Sequence, residues 1–519
     1  MKFNTIFNKE VLFIIFLLFF SLAINQYYGN RGVFPADSFS HFDTGFRILL
    51  GEFPFKDYWI VSGPFIDYLQ AIFFYLFGVH WQIYVFHASV INGIATIATF
   101  LLLRNFKLNI FYSFAYSLFF SILAYPSSGT PFVDHHSSLF SLLAIYILIL
   151  AIKNEKAHYW FILPFLLGFA FLSKQVPASY VFIFVVLILL FYSLVKKKYK
   201  YIKQLFLGIV LFILSLLFIG NVHEITLSNF LEQYIFYPQT IGQNRFQSYE
   251  ITFNGLIGHF KYIYFALFPL IFINFKKIFS IKNYYKEKDF IYFLLLAGLT
   301  FALIFHQLFT RNQTFIFFLI PILVSFLHIS LHSHKQFVQV ILILFCLFAT
   351  IKYHLRFNEN RKFHELNYSD FKLSSDAKII DEKFAGLNWI TPSYKNSPEE
   401  EINLINEVKK YLKNDNRKKM LMTNYSFFSV VLEKSSFSTS RWYIFDGTDY
   451  PQKNSKHFES YKNLLINSIK RNSVEVIFTI YPVQNSNIYD YINKDCFEEK
   501  KITKILTSYE LKNCRELDN

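Results

Sequence analysis

The sequence has 519 residues, of which 54% are hydrophobic, 21% aromatic and only 17% charged. Because soluble domains carry about 25% charged residues, this composition excludes an ordinary cytosolic enzyme, and it also excludes a disordered chain. Three cysteines are too few for a disulfide-stabilised secreted scaffold. The net charge of +15 indicates basic loops between membrane spans and no nucleic-acid partner, since the aromatic residues lie within long apolar runs.

Apolar runs of membrane-spanning length recur along the first 352 residues. A helix needs roughly 17–25 residues to cross the hydrocarbon core, and on this basis we predict about eleven transmembrane helices. The predicted spans are 9–27, 82–103, 109–125, 136–152, 158–173, 177–195, 203–220, 256–275, 289–307, 313–331 and 336–352. The first run follows Lys2 and Lys9 as in a signal peptide, but no small-residue cleavage site follows it, so we interpret it as an uncleaved anchor.

The basic residues of the connecting loops predict the orientation of these spans. They follow the even-numbered spans, as Arg104 and Lys107, Lys153 and Lys156, the block Lys196–Lys203, and the lysines between Lys276 and Lys288. By contrast, the 125–135 loop has no lysine or arginine, and the 221–255 loop has only Arg245. Because basic loops stay in the cytoplasm, we expect a multi-pass protein of the cytoplasmic (inner) membrane, with its N-terminus inside and its C-terminal region outside.

The outer loop between the first two spans, residues 28–81, has a helical pattern of its own. Apolar side chains recur at helical spacing, at Phe39, Phe42, Phe46, Leu49 and Leu50. This pattern predicts an amphipathic helix that lies on the membrane surface and ends at Gly51. A second amphipathic helix is expected from Pro64 to Gly78.

The composition becomes that of a water-soluble domain at about residue 353. We therefore predict two domains, 1–352 in the membrane and 353–519 outside it. Two cysteines of the outer domain, Cys496 and Cys514, either form a disulfide or remain free thiols, and the sequence favours neither.

The elements of residues 353–519 are those of a small extracytoplasmic α/β domain. Residues 397–413 read as a helix in which Ser397 is the N-cap and Pro398 the first helical residue. Strand-like segments at 418–425 and 473–481 lie on either side of a helical segment at 456–470. Alternation of strands with a helix is typical of an α/β fold.

Several carboxylates lie at the predicted outer boundary of the apolar region: Asp37, Asp43, Asp57, Asp67 and Asp134. A carboxylate next to lipid is costly unless it has a partner or a role. Asp37 stands at the start of the first outer helix, where capping alone would explain it. Asp43 is expected to pair with the arginine four residues on, Asp57 lies in a turn, and Asp134 precedes two histidines at the mouth of the fourth span.

The order of these features resembles the GT-C superfamily of glycosyltransferases. It is most similar to the branch with protein O-mannosyltransferases and lipid A aminoarabinose transferases, which is glycosyltransferase family 39-like. The positions of the outer-loop pattern are filled by Asp37, Gly51, Pro54 to Asp57, Pro64 and Phe77-Gly78. Less specific matches are Asp134 and the segment GFAFLSK, Gly168–Lys174.

The sequence also departs from the pattern of that branch. Many relatives have Glu after the first outer acid, where this chain has Ser38. The late outer loop reads TRNQTFIFFLIP and lacks the His-Tyr pair found in relatives. These departures affect the identity of donor and acceptor more than the superfamily.

The resemblance implies a GT-C-like membrane enzyme that moves a sugar from a polyprenyl-phosphate donor to an envelope acceptor at the outer face. The acceptor is a lipid, a glycan or a protein. By motif position, Asp37 is the base that takes the proton of the acceptor hydroxyl. Asp134 is the second candidate catalytic residue, which would orient the acceptor or the surroundings of Asp37, and Asp43 and Asp57 are supporting residues of the outer loop.

Three outward-facing basic residues are candidates for binding the donor's lipid phosphate: Lys174, Arg245 and Arg311. Cations stabilise a departing phosphate, and charge-assisted hydrogen bonds to phosphate are strong. Anchoring of the spans at the headgroups of membrane lipids explains the same residues equally well.

The run Asp134-His135-His136 also suggests a metal site. Adjacent side chains of a helix point about 100° apart, so both histidines cannot easily reach one ion. Since some superfamily members need a divalent ion and others do not, the sequence establishes no cofactor, and a divalent metal stays possible.

Two other function classes fit a polytopic membrane protein. A transporter or flippase of lipid-linked saccharides would show repeated halves and polar groups at mid-membrane, and the sequence shows no internal repeat. A polysaccharide polymerase would have its large outer loop late in the chain instead of after the first span.

Overall fold

A computed structural model of the protein describes residues 2–197, 199, 201–247, 252–310, 315–331, 336–360, 362, 365–512 and 514. The helices up to residue 222 are α1 (Lys2–Gly29), α2 (Pro35–Leu49), α3 (Pro64–Phe77), α4 (Trp81–Asn105), α5 (Ile110–Ala124), α6 (Val133–Asn154), α7 (Ala157–Ser173), α8 (Gln175–Lys196) and α9 (Ile202–Val222). They are followed by α10 (Leu227–Leu231), α11 (Tyr237–Gln247), α12 (Lys261–Ser280), α13 (Lys288–Thr310), α14 (Leu319–Ser330) and α15 (Gln336–Leu355). The C-terminal region adds α16 (Pro398–Asn414), α17 (Phe428–Leu432), α18 (Phe458–Asn472) and α19 (Ser486–Tyr489).

Each predicted apolar run overlaps one of these helices. Within the described ranges, eight helices are long and apolar enough to cross a membrane: α1, α4, α6, α8, α9, α12, α13 and α15. The other three, α5, α7 and α14, have 15, 17 and 12 residues. The polytopic helical architecture is therefore confirmed, whereas the number of helices that cross the membrane stays a prediction.

The chain divides into two compact units that each combine distant segments. The first unit contains Met1–Tyr28, Ala88–Leu217 and Ser248–Phe363, and the second contains Gly29–His87, Phe218–Gln247 and His364–Asn519. The outer loop thus belongs to the same unit as the C-terminal region. The division into domains at residue 352 stays a prediction about independent folding.

The first unit is a bundle of apolar helices around α6. Almost every residue of α6 is buried, and this helix packs against α7, α8 and α13. In α9, by contrast, Gly208 is the one buried residue, and large side chains such as Phe206 are exposed. A helix that is apolar all round and exposed in this way is typical of one that faces lipid.

The outer helix α2 buries its apolar face in the second unit. Phe39 and Phe42 are fully buried, and the ring of Phe39 lies 4.8 Å from that of Phe427 and 5.6 Å from that of Phe384. The prediction that this face lies on the membrane is therefore wrong for Phe39 and Phe42, whereas Leu49 and Leu50 at the end of the helix are exposed. An apolar stripe suits lipid and protein equally, and here residues of the C-terminal region cover it.

The boundaries of the two outer helices follow their sequence signals. α2 ends at Leu49, after which Gly51 adopts a φ of 85°. α3 begins at Pro64 and is followed by Gly78 with a φ of 91°. Glycine adopts a positive φ at little energetic cost, and for this reason it commonly terminates helices.

The C-terminal region contains a four-stranded sheet with the order β3-β4-β6-β5. Its strands are β3 (Lys419–Met422), β4 (Val476–Ile480), β5 (Phe497–Lys501) and β6 (Leu506–Leu511), and a separate antiparallel pair is β1 (Ser375–Asp376) with β2 (Asn388–Trp389). β3 and β4 are parallel and are connected through α18, as a parallel pair requires. The first two of these four strands and α18 match the predicted elements, whereas β5 and β6 were not predicted.

Two further predictions concern the start of helix α16 and the pairing of Cys496 with Cys514. α16 begins at Pro398 after Ser397, as predicted, although the Ser397 side chain makes no capping hydrogen bond. Cys496 and Cys514 form a disulfide, which resolves the alternative that the sequence left open.

Candidate functional site

Asp37 lies in the first turn of α2. The N-cap position is Phe34, whose N–H donates to the Ser38 hydroxyl at 3.0 Å, so Asp37 is the third residue of the helix and not its cap. Its side chain is partly exposed. The other carboxylates of α2 and α3, Asp43 and Asp67, are buried.

Asp43 and Arg47 form a buried ionic network on the same helix. Their side chains lie 3.9 Å apart, which is the predicted i, i+4 pair at the limit of an ion pair. Arg47 Nη2 is 2.5 Å from Glu52 Oε2 and also donates to the Ser438 carbonyl at 2.6 Å. The Ser429 hydroxyl donates to Asp43. The network therefore joins the outer loop to the C-terminal region within one compact unit.

The carboxyl group of Asp43 has an unusual protonation equilibrium. Burial raises its pKa from 3.8 to about 7, although the charge of Arg47 and the hydrogen bond from Ser429 act in the opposite direction. Desolvation penalises the charged carboxylate more than these two partners stabilise it. Asp43 therefore changes charge near neutral pH.

A second polar cluster holds α2 against α3. His41 Nδ1 lies 2.6 Å from Asp67 Oδ1, and the Thr44 hydroxyl donates to the same oxygen at 2.5 Å. Gly45 permits this approach, because a Cβ at that position would lie 2.7 Å from the Gln70 side chain. Asp67 thus serves helix packing.

Asp57 closes the turn that precedes α3. Its carboxylate accepts a hydrogen bond from the Phe53 N–H at 2.7 Å and pairs with Arg471 at 2.6 Å. Phe55, which lies between Phe53 and Asp57 in the chain, has a φ of 69°, a left-handed conformation that residues other than glycine rarely adopt. Asp57 satisfies the backbone of this strained turn.

In the first unit, Asp134 lies at the start of α6 and is almost fully buried. Its Oδ2 accepts from Lys174 Nζ at 2.7 Å, and its Oδ1 lies 2.6 Å from His306 Nε2. Lys174 stands between α7 and α8, and His306 lies on α13. The structure therefore brings together two of the predicted site residues and adds a third that was not predicted.

The two histidines after Asp134 have different surroundings. His135 stacks on Tyr125 with ring centroids 4.5 Å apart, and both of its ring nitrogens are buried without a hydrogen-bond partner among the described residues. His136 Nδ1 lies 3.1 Å from the Tyr125 hydroxyl. No group of three metal-ligating side chains exists among the residues that the structure describes. Because Asp134 is already paired with Lys174, these residues do not fit a metal ion.

The two turns of α6 that follow Asp134 also contain buried polar side chains. Ser138 and Ser141 follow Asp134 at positions i+4 and i+7, and their hydroxyls have no hydrogen-bond partner among the described residues. Elsewhere in these helices a buried hydroxyl donates to the carbonyl four residues earlier, as Thr99 and Ser117 do. The two serines therefore leave polar capacity inside the bundle.

The two other candidate phosphate ligands are Arg245 and Arg311. Arg245 lies on α11, in the second unit, and its side chain is exposed. Arg311 lies outside the described residues. For the candidate phosphate ligand Lys174, the structure shows the partner, which is the Asp134 carboxylate.

Sequence reasoning missed His306, Ser429 and Ser438. A single histidine in an apolar run and serines in a soluble domain have no local pattern that separates them from ordinary core and surface residues. Only the contacts with Asp134, Asp43 and Arg47 show their roles.

Comparison with known proteins supports the superfamily. A family model described as dolichyl-phosphate-mannose-protein mannosyltransferase matches residues 61–218, while no curated protein matches the chain. The matched segment includes Asp134 and Lys174 and begins after Asp57. The resemblance to the GT-C superfamily is confirmed over these residues, and it supports a membrane glycosyltransferase that uses lipid-linked donors.

Proposed function

We propose that the protein transfers a sugar from a polyprenyl-phosphate donor to an envelope acceptor at the outer face of the cytoplasmic membrane. In this proposal the N-terminus is cytoplasmic and the C-terminal region is outside. The similarity of residues 61–218 to a mannosyltransferase family supports the reaction class. The loop charges support the orientation.

The observation that favours Asp37 as the base is its accessibility. Asp43 and Asp67 are buried and bonded to neighbouring side chains, whereas Asp37 is partly exposed at the first turn of α2. A general base must reach the acceptor hydroxyl directly or through one water. Of the three carboxylates on α2 and α3, Asp37 alone meets this requirement.

The chemistry needs a base and a cation. The base takes the proton of the acceptor hydroxyl while the oxygen attacks the anomeric carbon, and the bond from that carbon to the lipid phosphate breaks. Lys174, Arg245 and Arg311 are the proposed ligands of the departing phosphate. Lys174 is bound to Asp134, so a phosphate there competes with this carboxylate for one ammonium group.

The test is the substitution Asp37→Asn in cells that lack the native protein. Asn keeps the size of the side chain but cannot accept a proton, so transfer is expected to fall by about 10²–10⁴. Mass spectrometry of envelope glycans, compared with wild type and with the deletion strain, measures the product. Protein level and membrane insertion are expected to stay unchanged.

Glu399→Gln is a matched control for a first-turn carboxylate. Glu399 is exposed in the first turn of α16, in the same unit. Its substitution removes the favourable interaction of one charge with the helix dipole and is expected to leave normal product. Normal product from Asp37→Asn would refute the proposed base and leave Asp37 with the favourable charge of a first-turn carboxylate only.

A further inference from the structure

Residues 425–441 contact the outer loop at several points. The contacts are Ser429 with Asp43, the Ser438 carbonyl with Arg47, the Thr439 carbonyl with the Trp59 N–H at 2.9 Å, and Arg441 Nη1 with the Ser62 carbonyl at 2.9 Å. The partners lie close to 400 residues apart in the sequence, and both lie in the second unit. Residues 425–441 therefore act as a support for the outer loop, and we call them the 425–441 support.

Apolar packing covers the same side of α2. The ring of Phe427 contacts that of Phe39, and Phe427 stacks on Phe428 with centroids 5.1 Å apart. The short helix α17, which contains Ser429, packs directly on α2. Polar and apolar contacts thus fix the same helix face, and α2 cannot move without breaking both.

The interface between α2 and the 425–441 support leaves little free space. It contains a cavity of about 10 Å³, lined by side chains that include Asp43, Ser429, Ser438 and Arg441. This volume holds about one water molecule and no larger ligand. The polar residues of the support therefore serve the position of α2 and do not form a substrate pocket.

We propose that the 425–441 support holds α2 in the orientation at which Asp37 acts, with Ser429 as a positioning residue that works through Asp43. The inference depends on the proposed function, because it concerns the placement of its base. Asp37 and Asp43 are six residues apart on one helix, which is about 9 Å along its axis. A rotation or shift of α2 at Asp43 therefore moves Asp37 with it.

The expected effect follows from the geometry. Removal of the Ser429 hydroxyl leaves the buried Asp43 carboxyl with Arg47 at 3.9 Å and enlarges the small cavity at this interface. A displacement of about 1 Å at a reacting group costs on the order of a hundredfold in rate. Ser429→Ala is expected to lower transfer at least tenfold, whereas Ser429→Thr keeps the hydroxyl and restores it.

Ser508→Ala is the matched control. Ser508 is as buried as Ser429 but lies on β6, outside the 425–441 support, and its hydroxyl donates to the Lys500 carbonyl at 3.3 Å. This variant loses a buried hydroxyl of the same unit without removing a contact between the support and α2. It is expected to make normal amounts of product.

The experiment has two measurements on the full-length protein. Envelope glycans are quantified by mass spectrometry in cells that express each variant at equal level. Hydrogen exchange of residues 35–49 is measured on the purified protein in detergent. Ser429→Ala is expected to lose product and to exchange faster in α2, while Ser508→Ala and Ser429→Thr behave as wild type in both measurements.

The failures of the two proposals are distinguishable. Unchanged exchange of α2 in Ser429→Ala, or equal losses of product in Ser429→Ala and Ser508→Ala, overturns the support proposal. Normal product from Asp37→Asn overturns the proposed function instead, and faster exchange in Ser429→Ala would still establish that the 425–441 support holds α2.

Discussion

The two compact units each bury a network of charged side chains, and the networks differ in how fully their atoms are paired. In the first unit both oxygens of Asp134 have a partner, one with Lys174 and the other with His306. In the second unit Arg47 Nη1 and Glu52 Oε1 are buried without a hydrogen-bond partner among the described residues.

The two networks also differ in their ionic partners. Asp134 has a cation, Lys174, and a histidine, so both of its oxygens are matched, although His135, Ser138 and Ser141 nearby keep polar atoms without a hydrogen-bond partner among the described residues. Asp43 has Arg47 at 3.9 Å and the Ser429 hydroxyl, and its burial outweighs both. The raised pKa of Asp43 is therefore the result of desolvation.

This comparison bears on function. A carboxylate with both oxygens paired keeps one position and one charge until a ligand displaces one of its partners. This behaviour suits a residue that orients a substrate or that competes with a phosphate for the same cation. A network with spare polar atoms adjusts to pH and to small displacements. The proposed base, Asp37, lies on the helix that contains the second kind of network.

The largest effect is expected from breaking the completed network. Asp134→Ala leaves Lys174 and His306 without their common acceptor, and removal of one member of a buried ion pair lowers the free energy of unfolding by about 3 kcal/mol or more. The midpoint of thermal unfolding of the full-length protein in detergent measures the loss.

A double variant serves as the control for this prediction. Asp134→Ala with Lys174→Met removes the unpaired charge and is expected to recover at least half of the lost stability. If the double variant is less stable than Asp134→Ala, the loss comes from packing at Asp134 and not from the uncompensated ammonium group.

A smaller effect is expected from the protonation of Asp43. In the unfolded chain this group ionises near 3.8, whereas in the folded protein its pKa is about 7. Between these values the folded state binds the additional proton, so stability falls as pH rises, by up to about 1.4 kcal/mol per pH unit. Asp43→Asn removes this contribution and should flatten the pH dependence between about pH 4 and pH 7.

Thermal unfolding of the full-length protein at a series of pH values measures this dependence. Asp57→Asn is the comparison variant, because Asp57 lies on the same loop but is partly exposed. An Asp43→Asn variant with the wild-type pH dependence would show that another group is responsible, and the contrast between the two networks would lose its basis.

The elements of the fold could be predicted where the signal is local. The start of α16 at Ser397 and Pro398 follows from capping preferences. The α3 boundaries follow from Pro64 and Gly78. The strand β5, whose sequence FEEKK has four charged residues, has no strand signal, because an edge strand tolerates charge on its exposed positions.

The position of α2 could be predicted only in part. The helical spacing of Phe39 and Phe42 defines an apolar face but not what covers it, and in a membrane protein lipid is the obvious choice. The cover consists of residues such as Phe384 and Phe427, more than 300 positions later. No periodic pattern records a contact over that distance.

The same limit applies to the candidate sites. The pair Asp43 and Arg47 was predicted because it is four residues apart on one helix. The pair Asp134 and Lys174 joins residues from two predicted spans whose packing partners the sequence does not specify, so both were named as site residues but not as partners. His306 had no signal at all.

The smallest effect is expected from Arg471, which makes a direct comparison with the buried Arg47. Both arginines pair with a carboxylate of the outer loop, but the Arg471 side chain is 47% exposed and that of Arg47 is 0% exposed. Water and salt screen the Arg471 pair, so Arg471→Gln is expected to cost less than about 1 kcal/mol and to lose even this effect at high salt. Asp57 remains satisfied in that variant because it still accepts from the Phe53 N–H. Arg47→Gln leaves Glu52 buried without its cation, so its larger loss is expected to persist at high salt. Thermal unfolding of both variants at low and high salt measures the contrast, and equal losses would mean that burial does not set the strength of these pairs.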